Sequence, residues 1–284
     1  MTRTYRYQLC DVFTDQPLCG NALAVFTDAV GLDDRSLQRL ARELNLSECA
    51  FVLPPTSAGA DARLRIFTPT MELPFAGHPT LGSAFVLTAE KRGASIRLET
   101  ARGISRVSFS RPESGPPFGW MTQPVPVVTT YEPARELLAA LGIEPDAVRA
   151  PIEQYDNGPH YVLIELAAAA MVASLSPDMR RLAALGSIAA VVFAPDGGRW
   201  KARVFAPGEG IAEDPATGAA AGPIALHLGR QGRVPFASDV SIDQGAELGR
   251  PSTLYARARG GDEPVAVEVG GNAVLIGRGE IDVP

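Results

Sequence analysis

Two runs decide the architecture: GHPTLGSAFVLTAEKRG at residues 77–93 and DPATGAAAGPIALHLGRQG at residues 214–232. Each opens with a Gly-containing loop beside a polar residue and continues into an almost wholly apolar stretch. A helix that is apolar around most of its circumference must be covered on most sides. Each run therefore predicts a helix buried inside other structure. Pro223 is compatible with the second helix only within its first turn, where a missing N–H is not needed.

The surroundings of both runs read as β-structure. YRYQLCDVF (5–13) and NALAVF (21–26) flank a Pro/Cys/Gly turn and predict a hairpin. Asp33 and Asp34 open an amphipathic helix through Leu37, Leu40, Ala41 and Leu44 that stops near Asn45. CAFVLP, ARLRIFTP, SIRLET and ISRVSF alternate as strands that bury one face. QPVPVV (123–128) reads as a linker. Beyond it, PARELLAAL and PDMRRLAAL predict helices, while HYVLIEL, SIAAVVFAP, WKARVFAP, SIDQ, STLYARA, VAVEVG and AVLIGRG predict strands. The expected organisation is α+β in two similar halves, 1–122 with a central helix near 79–91, and 123–284 with a central helix near 218–230. The last strand is free to return to the first half.

A length of 284 residues suits two cores, and 46% hydrophobic with 20% charged residues is ordinary globular composition. The net charge is −6 and the arginines are scattered, so no phosphate-binding stripe points to nucleic acid. The N-terminus lacks a signal-peptide pattern and no apolar stretch reaches the ~20 residues of a membrane span. The expected location is therefore cytoplasmic. Cys10, Cys19 and Cys49 are odd in number and lack CxxC spacing, which fits free thiols.

Nucleotide, zinc and serine-hydrolase motifs do not occur in the sequence. The two lysines, Lys91 and Lys201, sit in polar surroundings and are expected to be exposed, a poor setting for a pyridoxal Schiff base. His78, His160 and His227 are far apart and suggest no metal. No cofactor is expected. What remains is acid–base chemistry beside apolar segments. Glu48, where a helix gives way to an apolar strand, reads either as a partly buried carboxyl with a raised pKa or as an exposed loop residue. His78 reads either as a donor at the mouth of the first buried helix or as a capping residue. Asp214 reads either as a pocket group or as an N-cap of the second helix. Two of them stand at matching positions in the two halves, which favours a site between them, where two facing helix ends would hold a small anionic substrate.

The runs DVFTDQPLCGNALAVF, ARELNLSECAFVLPP, RIFTPTMELPFAGHPTLGSA, NGP (157–159), GRWKARVFAPGEGIAEDPATGAAAGP and GRPSTLYARA span nearly the whole chain. Together they resemble the PhzF family of phenazine-biosynthesis proteins, relatives of diaminopimelate epimerase and proline racemase. The resemblance implies a diaminopimelate epimerase-like fold, each half a β-barrel-like sheet around a central helix, and a homodimer. It implies Glu48 as proton shuttle, with His78 and Asp214 lining the pocket and backbone amides near Gly77 and Gly218 holding the substrate carboxylate. It further implies isomerisation of trans-2,3-dihydro-3-hydroxyanthranilate, in which a proton leaves C3 and returns elsewhere on the conjugated system. Two departures bear on the substrate: Ala219 stands where phenazine-pathway members carry serine, and His160-Tyr161 where they carry Arg-His. The paired cysteines of the epimerases have no counterpart at either helix start. Another small amino or hydroxy acid as substrate, and a metabolite-binding protein without catalysis, are the competing expectations.

Overall fold

The structure is a computed structural model that describes residues 2–88, 95–110, 115–260 and 266–284. Lys91 and the expected end of the first central helix lie outside the described residues. The first strands are β1 (Arg3–Val12), β2 (Asn21–Phe26), β3 (Glu48–Leu53), β4 (Ala62–Phe67), β5 (Glu72–Leu73), β6 (Ser95–Thr100), β7 (Gly103–Ser110), β8 (Phe118–Gln123) and β9 (Val127–Thr130). Then follow β10 (Glu153–Asp156), β11 (His160–Glu165), β12 (Ala189–Asp196), β13 (Arg199–Ala206), β14 (Ile211–Asp214), β15 (Val240–Gln244), β16 (Ser252–Arg259), β17 (Ala266–Gly271) and β18 (Ala273–Val283). The helices are α1 (Asp34–Leu44), α2 (Gly77–Thr88), α3 (Ala134–Leu141), α4 (Ala169–Ala173), α5 (Met179–Ala184) and α6 (Gly218–Arg230).

The pairing of the first strands repeats in the later ones. β2–β3 and β4–β6 are parallel, whereas β3–β4, β6–β7 and β7–β8 are antiparallel. The same alternation runs through β11–β12 and β13–β15, parallel, and β12–β13, β15–β16 and β16–β17, antiparallel. Parallel neighbours need a crossover. Helix α1 supplies the first and α2 the second; in the repeat, α4 with α5 and then α6 do the same. The terminal strands are exchanged between the repeats, since β9 pairs with β10 and β18 pairs along β1. β8 and β17 pair with each other, from Val267 against Gln123 to Gly271 against Gly119, and form a seam.

The two central helices are buried as their composition requires. Every residue of α2 except Leu87 is buried, as is every residue of α6 from Gly218 to Leu228. Hydroxyls inside α2 turn back onto the helix: Thr80 donates to Ala76 O at 2.7 Å and Thr88 to Ala84 O at 2.6 Å. Helix α1 is amphipathic and capped as its sequence indicates, with Asp33 accepting from Ser36 N and Asn45 in the left-handed region at φ 49°. Among the described residues, no helix is long and apolar enough to cross a membrane.

Three expectations are corrected. Gln123 is not part of a linker; it ends β8, is buried, and donates to Gly218 O at 2.9 Å. Pro223 is not in the first turn of its helix but its sixth residue, and the carbonyl it cannot serve is Ala219 O. That oxygen accepts instead from Asn157 Nδ2 at 2.8 Å. Lys201 is not exposed; its side chain pairs with Glu247 at 2.6 Å and keeps 13% of its surface.

Candidate active site

The topology brings the N-terminal ends of α2 and α6 into contact at the seam. A Cβ on Gly77 would lie 2.3 Å from Ala219 N and 2.4 Å from Gly218 C, and one on Gly218 would lie 3.0 Å from His78 N. Only glycine permits this approach. The first N–H groups of both helices, which have no helical acceptor, therefore converge. Their dipoles favour an anion there.

Strand β3 starts on Glu48, which faces this point, while Cys49 turns to the opposite face, under α1. Glu48 is 6% exposed, His78 2% and Asp214 5%, so the three residues singled out from the sequence are buried together. His78 Nδ1 lies 3.3 Å from Glu48 Oε2. The distance is that of a pair, but the angles are not those of a hydrogen bond, and Glu48 Oε2 has no partner. Burial pushes the Glu48 carboxyl well above the ordinary carboxylate range, and the charges of Asp214 and Glu209 push it further. Burial pulls the His78 imidazole down to about 3. Burial thus favours the neutral form of each group, and with an uncharged imidazole the contact is not an ion pair.

His78 packs against Asn21, the first residue of β2. Asn21 Nδ2 donates to Asp214 Oδ1 at 2.8 Å and to Ala216 O at 3.0 Å, which fixes the orientation of the amide. The same nitrogen lies 3.2 Å from His78 Nδ1. Both hydrogens of that amide are committed to Asp214 and Ala216, so this contact packs against the imidazole edge and leaves either ring nitrogen free to carry the proton. Nε2 is buried and without a partner, so this ring nitrogen and the Glu48 oxygen are both left open to a ligand.

Asp214 is not the N-cap of α6, which begins after Thr217. Its Oδ2 accepts from Thr217 Oγ1 at 2.6 Å, and with Asn21 on Oδ1 both oxygens are engaged. Burial raises its carboxyl despite hydrogen bonds from Thr217, Ser47 and Asn21. Gln244 completes the brace, donating to Asp214 O at 2.7 Å and accepting from Thr217 N at 3.1 Å. Asp214 therefore holds the start of α6 and aims Asn21 at His78.

Glu209 escaped the sequence reading, and Tyr161 entered it only as a departure from the family pattern. Glu209, buried in the APGEG turn, accepts from Ser187 Oγ at 2.8 Å, and burial raises its carboxyl. Tyr161 is buried, and its phenol is raised by burial and by the charges of Glu209, Glu48 and Asp214. Its neighbour His160 is half exposed and lies 3.6 Å from Asp156. Of the His160-Tyr161 pair, Tyr161 adjoins Glu48, Asp214 and Glu209, while His160 acts on Glu209. The three cysteines are free, and burial pushes the Cys49 thiol up to about 12, which leaves it unreactive. Among the described residues, no group of three or more His, Cys, Asp or Glu is placed to hold a metal ion.

Mirrored sheets around buried helices, with acid–base groups where the helix ends meet, define the diaminopimelate epimerase-like class, whose members include isomerases and epimerases. Comparison with solved structures agrees. A phenazine biosynthesis protein of the PhzF family from Bacillus anthracis superposes with a TM-score of 0.84 at 24% identity, covering 99% of each chain. A hydroxyproline epimerase from Agrobacterium vitis superposes with a TM-score of 0.71 at 14% identity, covering 99% of this chain and 93% of that one. These two likenesses speak to the fold alone. The model of the phenazine biosynthesis-like protein family, PhzC-PhzF, matches residues 10–279, and the chain belongs to that family. It is 45% identical over 278 residues to a trans-2,3-dihydro-3-hydroxyanthranilate isomerase from Pseudomonas chlororaphis, covering 98% of this chain and 99% of the relative.

Proposed function

We propose that this protein is a cofactor-independent isomerase acting on trans-2,3-dihydro-3-hydroxyanthranilate, with Glu48 as the group that carries the proton. The observation that supports it most is the pair of buried, unpartnered atoms, Glu48 Oε2 and His78 Nε2, beside two converging helix ends. The substrate carboxylate sits against the amides near Gly77, Gly218 and Ala219, where no lysine is needed to hold it. The Glu48 carboxylate takes the C3 proton, the electron pair of that C–H bond moves into the conjugated system, and the protonated Glu48 returns the proton to another carbon. Nothing is oxidised or reduced. His78 Nε2 hydrogen-bonds a polar group of the substrate, and Asp214 acts through Asn21 and Thr217 as a positioning residue. A raised carboxyl pKa suits a group that must both remove and return a proton.

A substrate that differs near the carboxylate is the second reading. Ala219, buried at the site, favours it, because its methyl group offers no hydrogen bond where a serine hydroxyl would. The two are separated by incubating the protein with trans-2,3-dihydro-3-hydroxyanthranilate and following absorbance and product mass. Isomerisation that disappears in Glu48→Gln is the expected result. No turnover by folded wild-type protein would reject this substrate. A ligand that binds without any change in its absorbance or proton NMR spectrum would reject catalysis in favour of binding.

A further inference from the structure

We infer that Asn157 and Gln123 are positioning residues for the helix end that receives the substrate carboxylate, and that Asn157 does the work of the N–H that Pro223 lacks. The inference rests on the functional reading above. In an α-helix the N–H of residue 223 would donate to the carbonyl of residue 219. Pro223 has no N–H, so Ala219 O has no helical donor. Asn157 Nδ2 occupies that place at 2.8 Å, and Gln123 Nε2 donates to the adjacent Gly218 O at 2.9 Å. Both side chains belong to the sheet: Gln123 ends β8, and Asn157 follows β10 in the turn to β11.

Peptide planarity carries this hold to the ligand side. Gly218 O and the N–H of Ala219 share one rigid plane, as do Ala219 O and the N–H of Ala220. Gln123 therefore sets the direction of the Ala219 N–H, which the helix start leaves without an acceptor. Asn157 sets the next plane, whose N–H closes the first turn onto Thr217 O at 3.0 Å. Asn157 Oδ1 and Gln123 Oε1 are both buried without a partner. Each amide thus keeps an unsatisfied oxygen and is retained at its position for its donor. In effect the first turn of α6 is aligned by the sheet as well as by its own ladder.

A double-mutant cycle between Asn157 and Pro223 tests this. Pro223→Ala supplies the missing helical donor, so Asn157→Ala should do harm only where Pro223 is present. The ligand probe is 3-hydroxyanthranilate, a stable aromatic carboxylate, with its Kd measured by calorimetry. Asn157→Ala should weaken its binding about tenfold and raise KM by a similar factor. It should change kcat less than about threefold and leave the pH profile set by Glu48 unmoved. In the Pro223→Ala background the same substitution should change binding less than about threefold. Amide exchange of the peptide covering 218–226 should quicken in Asn157→Ala and return to the wild-type rate in the double variant. If Asn157→Ala folds only alongside Pro223→Ala, the compensation is supported directly. Equal losses in both backgrounds, unchanged binding in Asn157→Ala, or failure to fold in both backgrounds would overturn the inference. Should wild-type protein neither bind the probe nor turn over the proposed substrate, the functional reading falls, and the exchange rates still decide whether Asn157 substitutes for the Pro223 donor.

Discussion

At the scale of single residues, Glu48 sets stability against chemistry. Its folded-state pKa lies well above the ordinary 4.5, so between that value and the raised one the folded protein holds a proton that the unfolded chain has lost. Stability from this group is fully present below 4.5 and is lost as pH rises through the raised value. Replacing Glu48 with Gln removes the loss. The variant should melt at nearly the same temperature as wild type at pH 4 and at a higher temperature at pH 8, as read by differential scanning calorimetry. A gap of the opposite sign would mean that Glu48 is charged and well solvated in the fold. Turnover by the same variant should fall about 10³-fold, within the range of general-base contributions. The acid limb of kcat/KM in wild type should lie above the ordinary carboxylate range, because only ionised Glu48 can accept a proton. His78 acts in the other direction. Its pKa of about 3 lies below the ordinary 6.5, so its contribution is present above 6.5 and is lost as pH falls towards 3.

At the scale of elements, two glycines of α2 separate packing from function. A Cβ on Gly82 would meet Leu23 Cδ2 at 2.6 Å and Val12 Cγ2 at 2.7 Å, the ends of side chains that can give way. A Cβ on Gly77 would meet the α6 backbone, which can give way only if the helix ends part. Gly82→Ala should cost about 1–3 kcal/mol of overpacking, with kcat within a few-fold of wild type. Gly77→Ala should lower kcat/KM at least ~10²-fold, the effect of displacing a site by about 1 Å. Steady-state kinetics and urea melts on both variants check this, and equal kinetic losses would dissociate the close approach from function. The same helices show what local sequence could reveal. α2 and α6 are legible because an all-round apolar helix has no other stable place, and α1 because its caps are local. β8 was not legible: Gly119 interrupts any alternation, and it is there so that Leu81 Cδ1 and Phe85 Cε2 can lie 2.9 and 3.1 Å from its missing Cβ. Pro223 misled because its compensating donor comes from Asn157, far away in the chain. Glu48, His78 and Asp214 were marked by apolar neighbours, whereas Asn21, Glu209 and Tyr161 acquire their meaning only from burial by distant segments.

At the scale of the whole molecule, the strand exchange and the β8–β17 seam tie the repeats together, and a part-buried ion pair holds the segment that enters the site. Asp11 is completely buried and pairs with Arg250 at 2.5 Å. The same guanidinium donates to Gly20 O at 2.7 Å and Cys19 O at 2.8 Å, and Asp11 Oδ2 accepts from Leu18 N at 2.7 Å. Gly20 N in turn donates to Pro251 O at 3.1 Å. The turn between β1 and β2 is therefore clasped to the turn before β16, and the residue that follows it is Asn21, which aims at His78 and Asp214. Arg250→Met would leave the Asp11 carboxylate buried and unpaired, a change that costs about 3–5 kcal/mol in buried pairs. Arg250→Lys keeps the charge but has no planar fork to serve Asp11 and two carbonyls together, so it should recover only part of the loss. Calorimetric melting should rank wild type above Arg250→Lys above Arg250→Met in a single shared transition, with 1 M salt changing the order little because buried pairs are weakly screened. Activity should follow the same ranking at temperatures where all three are folded, since a loosened turn frees Asn21 from the Asp214 carboxylate. Separate melting of two units in Arg250→Met would show that the clasp, and not the shared seam, is what makes the molecule unfold as one. Melting of Arg250→Met within about 1 °C of wild type would remove the clasp from the account altogether, since a loss of only 1 kcal/mol would move the transition by about 2–4 °C.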